Sequence, residues 1–261
     1  RRRNHFMSVY AIIPAYNEVR TIRDIAAAAR SYVDNVVVVD DGSSDGTTAA
    51  LEGLEDVTVL HHARNSGKAA ALLSGFQHAL EHGAEAVVTL DGDGQHQPAD
   101  LPRLLAEHRR HPSALIIAAR TRKRTCTPLV RRVANFVADF WISWAAGTLI
   151  QDSQSGFRIY PAAFLRPLPP TPSRSDSFTF ETALLIQAAH RLVPFAFVDI
   201  DAFYFTGQRP SHYRHTDSLR IGAHVARELM RRGMNPSGLP VALRRLRLRP
   251  AVSGADHHSV S

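Results

Sequence analysis

Residues 87–96 read Val87-Val88-Thr89-Leu90-Asp91-Gly92-Asp93-Gly94-Gln95-His96, an apolar run that stops at two carboxylates separated by one glycine. The β-branched residues of the run predict a short buried strand, and Gly92 and Gly94 allow unusual backbone angles at little steric cost. Carboxylate oxygens are ligands that Mg²⁺ and Mn²⁺ prefer, and these ions commonly bind where substrate phosphates complete the coordination shell. The stretch is equally typical of an acidic surface turn, and only the rest of the chain can separate the two interpretations.

The composition is typical of a globular protein. The chain has 261 residues, of which 44% are hydrophobic, so we expect one core-forming domain with a distinct C-terminal extension. Cys126 is the only cysteine, which excludes an intrachain disulfide and favours a reducing compartment. No apolar run approaches the ~20 residues that span a bilayer, and residues 1–30 show no signal-peptide pattern. We therefore expect a cytoplasmic protein, either soluble or peripheral at the inner face of the membrane.

The positive charge is unevenly distributed. Residues 1–206 carry 21 basic and 21 acidic side chains, whereas residues 207–261 carry 10 basic and 3 acidic ones. Such a tail suits an anionic surface, and the balanced charge of residues 1–206 argues against a nucleic-acid-binding core. A second basic block, residues 109–132, contains eight Arg or Lys residues and no acid.

The first half of the chain alternates strand-like and helix-like segments. Strands are predicted at residues 9–13, 36–39, 57–60, 86–90 and 114–118. Repeated β-α-β units predict an α/β fold with a mostly parallel sheet and helices on both faces, in which ligands bind at the carboxyl ends of the strands. Three of these strands end in polar loops, at residues 14–18, 40–43 and 91–93, which predicts one shared site.

The second half is less regular. Helices are predicted at residues 128–146, 180–190 and 219–230, and a strand at residues 195–200. Residues 151–160 are rich in turn formers, and residues 161–172 in proline. Beyond Gly233 the composition predicts weak order.

Two motifs resemble known ion or phosphate loops without fitting them. Residues 41–52 nearly match a calcium loop, but a strand precedes them and Ser43 stands at the third position. Residues 65–68 are similar to a phosphate-binding loop, but Ala69 follows where Ser or Thr is needed. At a strand end, Asp41 can instead accept hydrogen bonds from a nucleobase, and Lys68 at a helix N-terminus can meet a phosphate.

Residues 151–158 place Asp152 six positions before Arg158 across a glycine turn. This spacing suits a structural ion pair. If the turn faces Asp91, Asp152 can act as a general base or orient an acceptor, and Arg158 can hold a phosphate or stabilise the turn.

Taken together, these segments resemble family 2 glycosyltransferases of the GT-A fold, and they are most similar to the branch containing dolichyl- and polyprenyl-phosphate sugar synthases. The matching segments are collinear from about residue 8 to residue 230. They are residues 13–18, 38–43, 65–68, 90–96, 152–158 and 211–214.

The resemblance implies a Rossmann-like GT-A domain at residues 8–232, with a nucleotide-sugar half (8–120) and an acceptor half (121–232). A basic segment (1–7) precedes it, and a basic C-terminal helix and weakly ordered tail (233–261) follow. The implied donor is GDP-mannose, UDP-glucose or UDP-GlcNAc, and the implied ion is Mg²⁺ or Mn²⁺ at a DxD motif.

The resemblance also assigns residues to roles. Those implied for the donor are Pro14, Tyr16, Glu18, Asp41, Lys68 and Asp91. Those implied for the metal are Asp91, Asp93 and Gln95. Those implied for catalysis are Asp152, Asp93 and Arg158. Those implied for the acceptor are Arg120, Arg131, Gln154, Glu181, His212 and Arg214.

The implied reaction is transfer of a hexose, with inversion, to polyprenyl or dolichyl phosphate. A phosphate acceptor is already ionised and needs little general-base help, whereas a soluble or glycan hydroxyl acceptor would make Asp152 essential. A non-catalytic nucleotide-sugar-binding protein is the third interpretation. Ala69 and Ser155 depart mildly from the family pattern, and no membrane helices follow the domain. Residues 243–249 consist only of Leu and Arg and suit peripheral contact with an anionic bilayer or a solvated tail.

Overall fold

The computed structural model describes residues 8–122, 129–166, 177–201 and 215–247. Within these ranges seven strands form one sheet. The strands are Val9–Ala15 (β1), Asn35–Asp40 (β2), Val57–His61 (β3), Ala86–Thr89 (β4), Leu115–Arg122 (β5), Arg158–Pro161 (β6) and Phe195–Asp201 (β7). Their order across the sheet is β3-β2-β1-β4-β6-β5-β7.

Helices connect the strands in the described ranges. They are Ile22–Arg30 (α1), Thr47–Ala50 (α2), Lys68–Glu81 (α3), Leu101–Arg110 (α4), Leu129–Ala146 (α5), Ala162–Leu165 (α6), Ser177–His190 (α7), His215–Arg231 (α8) and Gly238–Arg247 (α9). A 3-10 turn, Pro98–Asp100, leads into α4.

The sheet is mostly parallel and has helices on both faces, as predicted. β1 pairs in parallel with β2 and β4, and β2 pairs in parallel with β3. Alternate residues of β2 enter two separate cores, Val37 and Val39 on one face and Val36 and Val38 on the other. The first core includes residues of α3, α5, α7 and α8, and the second includes residues of α1 and α4. Burial on both faces explains why the strands are continuously apolar.

The segment predicted to be turn-rich contains a strand, β6. It runs antiparallel between β4 and β5, and all four of its residues are buried. Pairing with two neighbours at once compensates for its short length. Because Arg158 pairs with Thr89, residues 151–156 lie directly beside the loop that follows β4.

Part of the C-terminal extension is a helix where the sequence predicted weak order. α9 packs against α5, and Ala242 is fully buried. A Cβ at Gly238 would lie 2.4 Å from the carbonyl oxygen of Trp144, so only glycine permits this approach. The ring nitrogen of Trp144 also donates to the carbonyl of Met234 at 2.9 Å. Among the described residues, no helix has the length and apolar character required to cross a membrane.

Candidate active site

The loops after β1 and β2 are joined by hydrogen bonds into one unit. The backbone N–H of Asn17 donates to Oγ of Ser43 at 2.9 Å, and that of Glu18 donates to Oγ1 of Thr47 at 2.8 Å. Asn17 adopts a left-handed backbone (φ 58°), which turns the chain toward the second loop. Pro14, Tyr16 and Glu18, the residues predicted to contact the nucleoside, all lie at this carboxyl edge of the sheet.

Asp41 connects this unit to the loop before α3. Its carboxylate accepts the backbone N–H groups of Ser66 (2.9 Å) and Gly67 (2.7 Å), and a ring nitrogen of His62 lies 2.7 Å away. Three of about four lone-pair positions are therefore used. Asp41 fixes the loop that leads to Lys68 and retains room for about one further donor.

Lys68 begins α3 and lies between two carboxylates. Its Nζ is 2.6 Å from Oδ1 of Asp91 and 3.1 Å from Oε2 of Glu181. Burial alone would lower the pKa of Lys68, but the charges of Asp91 and Glu181 outweigh it, so the pKa is raised. Burial alone would raise the pKa of Asp91, but Lys68 outweighs it, so that pKa is lowered. Both groups are charged at neutral pH.

Asp93 has a different environment from Asp91. It accepts the backbone N–H of Gln95 at 2.9 Å and the side-chain amide of Gln95 at 2.8 Å. Burial, followed by the charge of Asp91, raises the pKa of Asp93. Gln95, which was predicted to be a metal ligand, orients Asp93 in this arrangement.

His96 supports Asp91 from below. It is 2% exposed, and its Nδ1 accepts the backbone N–H of Asp91 at 3.2 Å. Burial is the main cause that lowers the pKa of His96 to about 4, so the ring is neutral at pH 7.

Gly156 closes over the Lys68–Asp91 pair. A Cβ at this position would lie 2.9 Å from Oδ2 of Asp91 and 3.0 Å from Nζ of Lys68. Its carbonyl accepts the hydroxyl of Thr89 at 2.7 Å, which fixes the glycine to β4. The absence of a side chain therefore allows the ion pair to lie beneath this loop.

Arg120, near the end of β5, binds Asp152 through three donors. Its Nε and backbone N–H both donate to Oδ2 of Asp152 at 2.8 Å, and Nη2 donates to Oδ1 at 2.8 Å. Asp152 is 2% exposed and adopts a left-handed backbone (φ 49°). Arg120 is also near enough to Asp91 to be among the charges that lower its pKa, after Lys68 and His96.

Asp139 and Arg158 hold the loop that carries Asp152. Asp139, on the buried face of α5, accepts the backbone N–H groups of Asp152 (3.2 Å) and Ser153 (2.7 Å). Arg158 is 1% exposed and donates to the carbonyl of Ser153 at 2.7 Å and to the carbonyl of Glu181 at 3.2 Å. With these bonds Arg158 stabilises the turn, the second of the two roles expected from the sequence.

The remaining predicted residues are only partly described. Gln154 is half-buried, and its amide donates to the hydroxyl of Ser153 at 3.3 Å. Arg131 belongs to α5, but its side chain lies outside what the structure describes. His212 and Arg214 lie outside the described residues.

Asp91 and Asp93 suit a divalent cation that takes few ligands from protein. Within the described ranges no group of three or more His, Cys, Asp or Glu side chains is arranged to hold a metal ion. Mg²⁺ and Mn²⁺ are commonly held by one or two carboxylates together with substrate phosphates, and two hard carboxylates fit that pattern. A structural zinc site, which needs four protein ligands, does not fit.

Three contributors were not assigned a role from the sequence. They are Asp139, Gly156 and His96. A signal for Asp139 was present, because it is the only acid of α5 and is three and seven positions from the buried Ile142 and Ala146. Gly156 gave no signal beyond its turn propensity.

The sequence matches a known family over more than half its length. A family model described as "Glycosyl transferase family 2" matches residues 10–167. The chain belongs to glycosyl transferase family 2. It is therefore a glycosyltransferase, which confirms the family, the enzyme class and the hexosyltransferase activity predicted from the sequence.

Two relatives illustrate the similarity. The undecaprenyl-phosphate mannosyltransferase of Micrococcus luteus is 33% identical over 207 residues, which cover 74% of this chain and 84% of that protein. The UDP-N-acetylglucosamine–dolichyl-phosphate N-acetylglucosaminyltransferase of Methanococcus voltae is 29% identical over 204 residues, which cover 70% of this chain and 81% of that protein.

Solved structures share the fold. Glucosyl-3-phosphoglycerate synthase from Mycobacterium tuberculosis, in complex with UDP, superposes with a TM-score of 0.67 at 21% identity, covering 85% of this chain and 80% of that chain. The same enzyme with Mn²⁺, UDP-glucose and phosphoglyceric acid gives a TM-score of 0.65 at 22% identity, covering 85% and 79%. This likeness confirms the GT-A fold.

Proposed function

We propose that this family 2 glycosyltransferase moves a hexose from a nucleoside diphosphate sugar to polyprenyl or dolichyl phosphate, assisted by Mg²⁺ or Mn²⁺. The names of the relatives from Micrococcus luteus and Methanococcus voltae support a lipid-phosphate acceptor. Those names contain different sugars, so the donor is left among GDP-mannose, UDP-glucose and UDP-GlcNAc. The acceptor half of the domain is proposed to be residues 121–232.

The pairing of Arg120 with Asp152 is the observation that carries this proposal. Both carboxylate oxygens of Asp152 accept bonds from one arginine, at 2.8 Å each. A carboxylate held in this way has little capacity left to take a proton from an attacking hydroxyl. Asp152 is therefore better suited to positioning the guanidinium of Arg120, which can bind an acceptor phosphate. A phosphate acceptor, already ionised, needs no general base.

The donor half supports a nucleoside diphosphate. The loops after β1 and β2 form a joined rim for the nucleoside, and Asp41 retains about one acceptor position for a base N–H. Lys68 lies at the N-terminus of α3, where the helix dipole adds to its attraction for phosphate. A divalent cation held by Asp91 and Asp93 would supply Lewis-acid stabilisation of the departing diphosphate.

Transfer assays test the proposal directly. The full chain is incubated with Mn²⁺ and labelled GDP-mannose, UDP-glucose or UDP-GlcNAc, with undecaprenyl or dolichyl phosphate as acceptor. One donor is expected to give a labelled lipid. Asp93→Asn is expected to lower the rate by at least about 10²-fold, the size of losing a preorganised electrostatic contact.

Three outcomes would change the proposal. Transfer to a soluble or glycan hydroxyl, with no lipid product from any donor, would replace the acceptor. Binding of a nucleotide sugar without transfer to either kind of acceptor would leave a binding protein. If neither Asp93→Asn nor EDTA changed the rate, the proposed role of a divalent cation would be wrong.

Exposed groups near the C-terminus favour peripheral contact with an anionic bilayer. Leu243 of α9 is 43% exposed, and Arg244 beside it is exposed. On α5, Val133, Val137 and Trp141 recur every fourth residue and are 43–54% exposed. Apolar side chains beside arginines suit the lipid interface. Flotation with phosphatidylglycerol vesicles, but not with neutral phosphatidylcholine vesicles, is the expected result.

A further inference from the structure

A single ammonium group lies between two carboxylates at the carboxyl edge of the sheet. Nζ of Lys68 lies 2.6 Å from Asp91 and 3.1 Å from Glu181. The side chains of Lys68, Asp91 and Glu181 are 28%, 25% and 15% exposed, so the three charges interact in surroundings that screen them less than bulk water. The free protein therefore already contains a cation at one member of the proposed metal pair.

The two acids of that pair are not equivalent. Asp91 is bound by Lys68, whereas Asp93 accepts hydrogen bonds from the neutral backbone and side-chain amide groups of Gln95. A divalent cation that arrives alone thus meets one carboxylate bound by a neutral amide side chain and one in direct contact with an ammonium. Its attraction to Asp91 is correspondingly weakened, because two cations repel each other at a shared oxygen.

Space around the pair is also limited. The backbone at Gly156 lies so close that a Cβ there would be 3.0 Å from Nζ of Lys68 and 3.1 Å from Oδ1 of Asp91. The loop at Gly156 therefore borders the ammonium on one side. An anion within reach of the four-carbon side chain of Lys68 could draw the ammonium away from Asp91.

We infer that Lys68 is the counter-ion of Asp91 in the free protein, and that a nucleoside diphosphate makes Asp91 available to a divalent cation by offering Lys68 another anion. This inference rests on the proposed function. Its consequence is that metal and nucleotide bind cooperatively. By linkage, the factor by which nucleotide tightens metal binding equals the factor by which metal tightens nucleotide binding.

Mn²⁺ titrations followed by electron paramagnetic resonance test this coupling without an activity readout. The full chain is titrated alone and with saturating UDP or GDP, and the Mn²⁺ bound by nucleotide alone is measured separately. For the wild type, nucleotide is expected to raise Mn²⁺ affinity at least about tenfold, within the usual range of coupling between sites. Lys68→Met is expected to bind Mn²⁺ alone at least about tenfold more tightly than the wild type and to gain correspondingly less from nucleotide, because only the coupling through the diphosphate oxygens remains.

Matched variants separate charge from side-chain loss. Lys68→Arg retains the cation and should resemble the wild type, while Lys68→Gln is a second neutral variant in case Lys68→Met fails to fold. Arg30→Met removes a cation from a surface pair with Asp56, 3.1 Å long, and should leave Mn²⁺ binding unchanged.

Two results would be decisive. If the wild type binds Mn²⁺ with nucleotide, but the neutral variants bind Mn²⁺ alone no more tightly than the wild type, the inference is overturned and the metal site stands. If the wild type binds no Mn²⁺ even with UDP and GDP, the metal assignment of the proposed function fails.

Discussion

The loops that face the proposed donor and the loop that faces the proposed acceptor are held by different kinds of interaction. In the donor loops, residues 15–21, 40–47 and 64–67, which precede the Lys68 ion pair, carboxylates such as Asp41 accept mainly neutral backbone and side-chain donors. In the acceptor loop, residues 151–156, Asp152 binds the guanidinium of Arg120, and Arg158 is buried beneath.

This difference bears on how much each contact matters. A neutral hydrogen bond contributes about 0.5–1.5 kcal/mol net to stability. Several such bonds hold the donor loops, so the loss of one leaves the others in place. Removing one partner of a buried ion pair costs about 3–5 kcal/mol, because the other charge is left unpaired. We therefore expect single substitutions in the acceptor loop to have larger effects than those in the donor loops.

The largest effect is expected at Arg120. Arg120→Ala should lower kcat/KM for polyprenyl phosphate by about 10³-fold, as expected when an electrostatic contact to the reacting group is lost. Ser43→Ala removes the acceptor of the Asn17 N–H and should cost less than about tenfold. Steady-state kinetics with varied acceptor measure both. Equal losses in the two variants would contradict the expected difference between the acceptor and donor sides.

A double-mutant cycle sharpens the role of Asp152. If Asp152 acts only by holding Arg120, the variant with both Arg120→Ala and Asp152→Ala should lose no more activity than Arg120→Ala alone, since the pair acts as a unit. Additive losses would show that Asp152 has a second role, such as the general base.

Gly156 belongs to the acceptor loop but lies beside Asp91 on the donor side, so Gly156→Ala should lower the rate of transfer. The new Cβ would approach Asp91 to 2.9 Å, which displaces the Asp91 carboxylate or the loop. A displacement of about 1 Å costs about 10²-fold in rate. Gly222→Ala in α8 is the control, because no atom lies within 4 Å of its added Cβ. Full activity of Gly156→Ala would contradict the close approach.

Asp139→Asn should act on the acceptor alone. The amide retains one oxygen but presents an N–H to a backbone N–H of Asp152 or Ser153, which loosens the acceptor loop. The KM for polyprenyl phosphate is expected to rise about tenfold, equivalent to one lost hydrogen bond. The dissociation constant for UDP or GDP, measured by calorimetry, should not change. An equal change in both constants would indicate general destabilisation.

The position of the strand-end loops on the donor side was predictable from the sequence because its signals are local. Asp91 and Asp93 follow a buried run, and parallel strands bring such strand ends to one edge without further information. Lys68 was expected to meet a phosphate because it lies at a predicted helix N-terminus. Its contact with Glu181, more than a hundred positions away, was not accessible from spacing.

The acceptor side was harder because its meaning depends on pairing between distant segments. β6 has only four residues, Arg158–Pro161, too few for periodicity to identify a strand. Its insertion between β4 and β5 brings Asp152 to Arg120. Because the sequence did not reveal this strand pairing, it could not decide whether Asp152 acts as a general base or positions Arg120.

The smallest expected effect is on the stability of the folded protein at low pH. It tests whether the ring of His96 beside Asp91 is neutral. His96 has a pKa of about 4 in the folded chain and about 6.5 when unfolded. Above pH 6.5 both states carry a neutral ring, so ionisation of His96 does not change stability. As the pH falls toward 4, the unfolded state binds the proton first, and the folded state is destabilised by about 1.4 kcal/mol at pH 5.5. His96→Asn retains an acceptor for Asp91 without titrating, so its unfolding free energy should fall less between pH 7 and 5.5. Denaturant unfolding measures this free energy at both pH values. The same substitution at the exposed His111, His111→Asn, is the control. If the unfolding free energies of the wild type and of His96→Asn depended identically on pH, the ring of His96 would not be held neutral by burial beside Asp91.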